Sequence, residues 1–235
     1  NRLTVNGKGS YDLIVPKFLK LIAQRDKNKD YYVRGTFTHE NLDFSQDVLS
    51  IADLGVDSIS VEPVTADDSD PYALREEDLP TIYAEYEKLA KIMLQRKDFN
   101  FFHFNVDLTQ GPCVIKRMRG CGAGCEYVAV TPDGDIYPCH QFVGKEEYRM
   151  GSILTDEFNM DIANTFAGLN IYTRDDCQDC WARFYCSGGC SAANLNANGD
   201  MKKPYKLGCD MQRKRLECAI AMRAIEAGLA EIPQE

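Results

Sequence analysis

The sequence predicts an α/β fold that ends in a smaller, cysteine-rich α+β region. Helix and strand patterns alternate through residues 1–107 in the order α-β-α-β-α-β, which indicates a parallel sheet with covering helices. All ten cysteines lie between residues 113 and 218, so the second region differs from the first in its chemistry. We therefore predict two domains, residues 1–107 and residues 108–235.

Six periodic segments support the first domain. They are predicted as helices over residues 15–23, 43–54 and 79–94, and as strands over residues 31–38, 58–64 and 101–106. Asp43 and Gln46 have the spacing of a capping box at the start of the second helix, and Gly55 marks its end.

Each predicted strand has one apolar face and one largely polar face. In the third strand the apolar face consists of Phe102, Phe104 and Val106. The polar faces of the first two strands carry Arg34 and Glu62, respectively. Complete barrels are filled with branched apolar residues, so a polar lining predicts a cavity that admits water or a ligand. The alternative is an open sheet with a solvated face, on which Arg34 pairs with Glu62. Three strands cannot close a barrel, which takes about 250 residues, so we expect the C-terminal portion of a partial (β/α) barrel.

Composition narrows the function classes. The chain has 27 basic and 36 acidic residues, a net charge of −9, which argues against non-specific nucleic-acid binding. No apolar run approaches the roughly 20 residues of a membrane-spanning helix, and the first residues lack the apolar core of a signal peptide. We predict a cytoplasmic protein with no membrane partner. The first residue is Asn1, so the chain is expected to be a processed product or a piece of a longer protein.

The cysteine spacing is the most informative pattern. The region contains Cys177-x2-Cys180-x5-Cys186-x3-Cys190, then Cys209 after 18 residues, with Cys121, Cys125 and Cys139 upstream. Thiolates at such short spacings converge on metal centres. His140 is the only histidine of the region, so ligation by sulfur predicts iron–sulfur clusters or zinc sites made of four thiolates. A framework of disulfides in a secreted protein is a third alternative.

Three local patterns accompany the cysteines. Gly188 and Gly189 are expected where the backbone passes close to a bulky group. Residues 127–137 predict a β-hairpin that turns at Pro132-Asp133-Gly134. A helix is predicted after Cys209, with an apolar stripe made of Met211, Cys218, Met222, Ile225 and Leu229.

The cysteine series resembles a known domain family. The order Cys121-x12-Gly134-x4-Cys139, then Cys177-x2-Cys180-x5-Cys186-x3-Cys190 and Cys209, is similar to the SPASM domain. That domain is the C-terminal extension of many radical S-adenosylmethionine (SAM) enzymes and holds two auxiliary 4Fe–4S clusters. Residues 1–107 likewise resemble the last strands of the partial barrel of these enzymes. Arg34-Gly-Thr-Phe-Thr and Cys121-Gly-Ala-Gly-Cys125 resemble the maturases of six-cysteines-in-forty-five peptides.

The resemblance implies two sets of cluster ligands. The first auxiliary cluster would be held by Cys121, Cys139 and Cys190, and the second by Cys177, Cys180, Cys186 and Cys209. Cys125 either completes the first cluster or leaves an iron open for a substrate thiolate, and Cys113 is a further candidate. Cys218 is predicted to be a buried helix residue, because free cysteine packs as a small apolar group.

The resemblance also implies an activity. The full-length enzyme would bind S-adenosylmethionine and a third 4Fe–4S cluster, abstract a hydrogen from a cysteine-rich, ribosomally made peptide and form a thioether cross-link. Ferredoxin or flavodoxin would supply electrons. Arg34 is a candidate contact of the SAM carboxylate or the peptide. His140 is a candidate proton relay. The alternatives are a sulfatase maturase or another SPASM enzyme, and a non-catalytic zinc-binding module.

One element of the family pattern does not occur in this sequence. The loop Cys-x3-Cys-x2-Cys, which holds the SAM-cleaving cluster in the family, is absent, because Cys121-x3-Cys125 and Cys186-x3-Cys190 lack the third cysteine. We therefore expect the chain to be the C-terminal portion of such an enzyme and to be inactive by itself.

Overall fold

The computed structural model describes residues 3–26, 30–108 and 118–231. The chain forms two compact units, of which the first ends at Tyr32 and the second begins at Val33. The first contains helix α1, Tyr11–Gln24, none of whose residues is fully buried. The helix predicted over residues 15–23 is confirmed and begins four residues earlier. The domain boundary between residues 107 and 108 stays a prediction.

The second unit begins with a three-stranded parallel sheet, as predicted. Strands β1 (Val33–Phe37), β2 (Ser58–Pro63) and β3 (Asn100–Phe101) lie in the order β1-β2-β3. Helix α2 (Phe44–Asp53) connects the first two strands, and helix α3 (Leu79–Gln95) connects the second to the third.

Aromatic rings fill the core between this sheet and its helices. The ring centroids of Phe37 and Phe44 lie 4.5 Å apart, and those of Phe44 and Tyr86 lie 4.8 Å apart. Such ring pairs add to the stabilisation that burial provides. Helix α2 stops where predicted, before Gly55 at φ +84°, but Asp43 makes no side-chain capping bond, so the predicted capping box is wrong.

The third strand is much shorter than predicted. Only Asn100 and Phe101 pair with β2, and residues Phe102–Phe104 form a 3-10 turn. The turn rotates Phe102 outward, where 46% of its surface is exposed, and buries His103. The expected face that joined Phe102 to Phe104 is therefore wrong. Hydrogen bonds with Ser60 and with an arginine of the last helix hold the His103 ring inside.

Within residues 120–231 the structure describes a second, antiparallel sheet and four α-helices. The strands are β4 (Ala129–Val130), β5 (Asp135–Tyr137) and β6 (Gly151–Ser152), and the helices are α4 (Met160–Gly168), α5 (Arg183–Cys186), α6 (Ser191–Asn198) and α7 (Lys206–Glu226). The hairpin of β4 and β5 is confirmed, and Gly134 in its turn has φ +90°.

The last helix, α7, packs along α3 and joins the two regions of the second unit. It begins at Lys206, so Cys209 belongs to the helix that was predicted to follow it. Met211, Cys218 and Met222 are buried as expected, whereas Leu229 lies beyond the helix and is 82% exposed, so that member of the stripe is wrong. Within the described ranges, no helix is long and apolar enough to cross a membrane.

Candidate metal centre

Four cysteines lie in the wall of one cavity of about 310 Å³. Cys177 and Cys180 lie in the loop before α5, Cys186 is the last residue of α5, and Cys209 is in the first turn of α7. We call this site the four-cysteine cavity. It brings together all the residues that the family resemblance assigns to the second auxiliary cluster.

A compact turn holds three of these thiols at short range. The Cys180 amide donates to the Cys177 carbonyl at 3.2 Å, and the Cys186 amide donates to the Ala182 carbonyl at 2.8 Å. Helix α5 is followed by Ser187 at φ 60° and Gly188 at φ 86°. This left-handed backbone favours glycine. Burial raises the pKa of the Cys186 thiol, and the amides of Gly188 and the next residue act against that increase.

Burial dominates the electrostatics of the cavity. It raises the pKa of the Cys209 thiol to about 11, and the neighbouring Cys186 thiol adds to the increase. Burial likewise raises the pKa of Cys177 and Cys186. These thiols are therefore protonated near neutral pH without a metal. A cluster binds thiolates, so its binding would release protons.

A second set, Cys121, Cys139 and Cys190, forms what we call the three-cysteine group. The Tyr127 hydroxyl lies 3.9 Å from the Cys121 sulfur. Burial raises the pKa of Tyr127, and the thiols of Cys121, Cys139 and Cys190 raise it further, in that order. One hydroxyl is therefore within electrostatic reach of all three sulfurs.

The three-cysteine group stands on a separate apolar core. Phe142 is buried, and its ring centroid lies 5.1 Å from that of Phe166 and 4.8 Å from that of Tyr148. Cys139 belongs to the same core, whose other members are Ala123, Tyr137, Leu169, Ala192 and Met201. Cys190 immediately precedes α6 and is exposed.

Cys125 points elsewhere. Its thiol donates to the Ala163 carbonyl of α4 at 3.4 Å. Burial raises the pKa of Cys125, and its charged neighbours are Arg119 and Glu126 rather than other thiols. The role of Cys125 as a cluster ligand stays a prediction. Cys113 lies outside the described residues.

Arg34 pairs with Glu62, as the alternative for the polar strand faces predicted. The Glu62 carboxylate also lies 3.8 Å from the His103 ring, and Arg215 donates to the other ring nitrogen at 2.8 Å. Burial, together with the positive charges of Arg215 and Arg34, lowers the pKa of His103 to about 3. The ring is therefore neutral, and a contact of Arg34 with a cofactor stays a prediction.

Sequence reasoning missed His103, Arg215 and Arg174. The last of these is the bulky group that Gly188 was expected to approach. A Cβ atom on Gly188 would lie 2.5 Å from Cδ of Arg174. The glycine indicated the close approach, but no pattern identified its partner. His140 is exposed on the surface, and its proposed relay of protons stays a prediction.

The donor chemistry fits an iron–sulfur cluster, because four thiols line one cavity and thiolates are the usual ligands of such clusters. No disulfide joins any two of the nine cysteines in the described ranges. In the same ranges, no three side chains of His, Cys, Asp or Glu meet at a point that could hold a single metal ion.

Comparisons with known proteins agree with this chemistry. Residues 121–181 match the family model of SPASM, an iron–sulfur cluster-binding domain. An uncharacterized protein of Archaeoglobus fulgidus is 30% identical over 115 residues, which cover 45% of this chain and 24% of that protein. The chain therefore spans about a quarter of that relative.

Solved structures share the fold. Native anSMEcpe with bound AdoMet and Cp18Cys peptide matches with a TM-score of 0.65 at 14% identity, over 98% of this chain and 66% of that one. A histidine-tagged form of anSMEcpe with bound AdoMet matches with a TM-score of 0.65 at 14% identity, over 98% and 63%. The predicted fold class is confirmed: the chain is a mixed α/β protein with a fold like that of anSMEcpe, and residues 121–181 match the SPASM iron–sulfur cluster-binding domain.

Proposed function

We propose that this chain is the part of a radical SAM peptide maturase that carries two auxiliary 4Fe–4S clusters. The observation that carries the proposal is the arrangement of seven cysteines as a four-cysteine cavity and a three-cysteine group. The two sets adjoin, because Cys190 lines a second cavity of about 180 Å³ together with Cys186 and Cys209. The SPASM match over residues 121–181 supports cluster binding. The likeness to anSMEcpe, solved with AdoMet and a peptide, supports a SAM-dependent reaction on a peptide.

Each set of thiols has its own role in this proposal. Cys177, Cys180, Cys186 and Cys209 hold one cluster with a complete set of ligands. Cys121, Cys139 and Cys190 hold the other and leave one position for a further ligand. When bound, such clusters supply an electron acceptor and an iron that can bind a thiolate.

The finer proposal is thioether formation in a cysteine-rich peptide. Joining a cysteine sulfur to a backbone carbon removes one hydrogen atom from that carbon and one proton from the thiol. It also leaves one electron, which an acceptor must take. Tyr127 lies beside the Cys121 sulfur, where a substrate thiol that reaches the three-cysteine group would arrive.

Reconstitution of the chain under argon with iron and sulfide tests cluster binding. We expect about eight irons per chain and Mössbauer spectra of two 4Fe–4S clusters. Cys218→Ala is a matched control, since this buried thiol lies in α7 outside both sets, and its iron content should equal that of the wild type. Protein that holds only zinc would contradict the proposal and favour the zinc-binding module.

The open position is tested with two synthetic peptides that differ only in one cysteine or serine. We expect the cysteine peptide to change the electron paramagnetic resonance (EPR) spectrum of the reduced, reconstituted chain, and the serine peptide to leave it unchanged. Identical spectra with both peptides would argue against thiolate binding. Cys125→Ala should respond as the wild type does, because its thiol is bonded to Ala163.

A second candidate is a sulfatase maturase or another SPASM enzyme that oxidises a peptide side chain without a cross-link. The likeness to anSMEcpe with the Cp18Cys peptide favours it. Mass spectrometry of the peptide after reaction with the full-length enzyme separates the two. A thioether makes the modified cysteine resistant to alkylation, whereas the second candidate leaves no cross-link.

A further inference from the structure

Arg174 is a fully buried arginine in the loop that leads to Cys177. Only 2% of its surface is exposed. One Nη atom donates to the Met201 carbonyl at 2.6 Å, and the other donates to the Ser191 hydroxyl at 2.8 Å. Both partners are neutral oxygens, so these bonds orient the guanidinium without neutralising its charge.

The third donor of this guanidinium has no partner. The Nε atom of Arg174 is one of three buried side-chain nitrogens without a hydrogen bond in the part of the chain that the structure describes. It faces the loop between Cys186 and Cys190, because a Cβ on Gly188 would lie 2.8 Å from it. A buried donor without a partner and a buried charge without a counterion are both costly.

The anionic groups that would offset this charge are thiolates of both sets. Burial lowers the pKa of Arg174, and Cys177 and Cys186 of the four-cysteine cavity act against that shift. Cys190 and Cys121 of the three-cysteine group act in the same direction. The geometry agrees: the Cys177 amide donates to the Arg174 carbonyl at 3.4 Å, and Ser191, which the guanidinium contacts, directly follows Cys190.

We propose that Arg174 is a positioning cation shared by the two clusters. Its fixed charge offsets the negative charge of the thiolates on both sides, and its Nε–H faces the loop between Cys186 and Cys190. Gly188 is glycine so that the guanidinium can approach this loop. The inference rests on the proposed function, since it requires that both sets of thiols hold clusters.

A fixed positive charge near a cluster favours the reduced state, which carries one more electron. Removing the charge should therefore make both clusters harder to reduce. A residue that only fills space would leave the reduction potentials unchanged. The potential thus separates an electrostatic role from a structural one.

The experiment compares Arg174→Gln and Arg174→Lys with the wild-type chain, all reconstituted under argon and titrated with dithionite while EPR follows each cluster. We expect Arg174→Gln to shift both midpoint potentials to more negative values. Arg174→Lys, which keeps the charge, should shift them less. Arg149→Gln is the matched control, because Arg149 pairs with Asp135 away from the thiols, and its potentials should equal those of the wild type.

Each outcome decides. Unchanged potentials in Arg174→Gln, with iron loading like the wild type, would overturn the inference and leave the proposed function intact. If Arg174→Gln loads no iron, Arg174→Lys decides, since loading at near wild-type potentials supports a role for charge and failure to load overturns it. A wild-type chain without iron would instead reject the proposed function.

Discussion

The four-cysteine cavity and the three-cysteine group differ in how the chain encloses them. Cys177 is buried, and its three partners around the cavity are half-buried. In the three-cysteine group only Cys139 is buried, while Cys121 and Cys190 are exposed. The first set therefore suits a closed centre with protein ligands alone. The second suits a centre that a substrate can reach.

The two sets also depend on different cores. The cavity takes Cys209 from α7, which packs along α3 of the parallel sheet region. The three-cysteine group is supported by the aromatic core around Phe142. A change in one core should therefore affect its own set first, while Arg174 lies within reach of both.

The largest expected effect follows from removing one thiol of each set. Cys209→Ala and Cys121→Ala should each lose about four of about eight irons per chain, since each removes a proposed ligand of one cluster only. Iron analysis after reconstitution gives the count, and Mössbauer spectra identify the remaining cluster. Full iron content in either variant would show that the sulfur removed is not a ligand. Loss of all iron in either would show that the sets are not independent.

The next largest expected effect is that of a substitution in the aromatic core that supports the three-cysteine group. Phe142→Ala should lower the free energy of unfolding by about 3–5 kcal/mol, because it removes a buried ring and leaves a cavity. Denaturant unfolding of the metal-free chain measures the change. Phe102→Ala, at a ring that is 46% exposed, should cost less than Phe142→Ala, because it removes less buried apolar surface. Equal losses in the two variants would contradict the core assignment.

The pH dependence of stability concerns the network beside the four-cysteine cavity. His103 has an ordinary pKa of 6.5 and a folded-state pKa of about 3, so the unfolded chain binds its proton first. The free energy of unfolding should therefore fall as the pH drops below 6.5, by up to about 1.4 kcal/mol per pH unit. Above that pH both states are neutral at this site, and His103 contributes no slope.

Two variants isolate this contribution. In His103→Asn the free energy of unfolding should depend less steeply on pH between pH 6.5 and 3, since the titrating group is gone. The exposed His140, changed to Asn in the same way, should keep the wild-type slope. Urea unfolding of the metal-free chain at several pH values measures both. A slope in His103→Asn equal to that of the wild type would show that other groups cause it.

The smallest expected effect tests the Tyr127 hydroxyl. Tyr127→Phe removes one weak contact with the Cys121 sulfur and should change the free energy of unfolding by about 1 kcal/mol or less. It should shift the EPR signal of the three-cysteine cluster and leave the other signal unchanged. A shift of both signals would mean that the two sets are not as separate as their geometry indicates.

The features that depend on residues close together in the sequence were the easiest to predict. The hairpin of β4 and β5 follows from a turn sequence, and α3 follows from a 3.6-residue period over many residues. The end of α2 follows from one glycine. These features depend on local backbone preferences, which follow directly from the residue types at each position.

The predicted length of the third strand was wrong because an alternating apolar pattern there did not reflect a strand. Residues 101–106 read as an alternating strand, but hydrogen bonds between His103 and both Ser60 and Arg215 favour a turn. Those partners are 43 and 112 residues away along the chain. No local pattern contains such information, and the same is true of the direction of the Cys125 thiol toward α4.

The amino-acid sequence alone predicted sulfur ligation of a metal, because the cysteines are closely spaced and only one histidine lies among them. It also determined the order of helices and strands, which local periodicity encodes. The resemblance assigned Cys209 to one set with Cys177, Cys180 and Cys186. Only the tertiary structure showed that these four residues line one cavity and that the buried Arg174 packs against the loop between Cys186 and Cys190. Packing of distant segments sets those neighbours, and a buried cation becomes significant only when its surroundings are known.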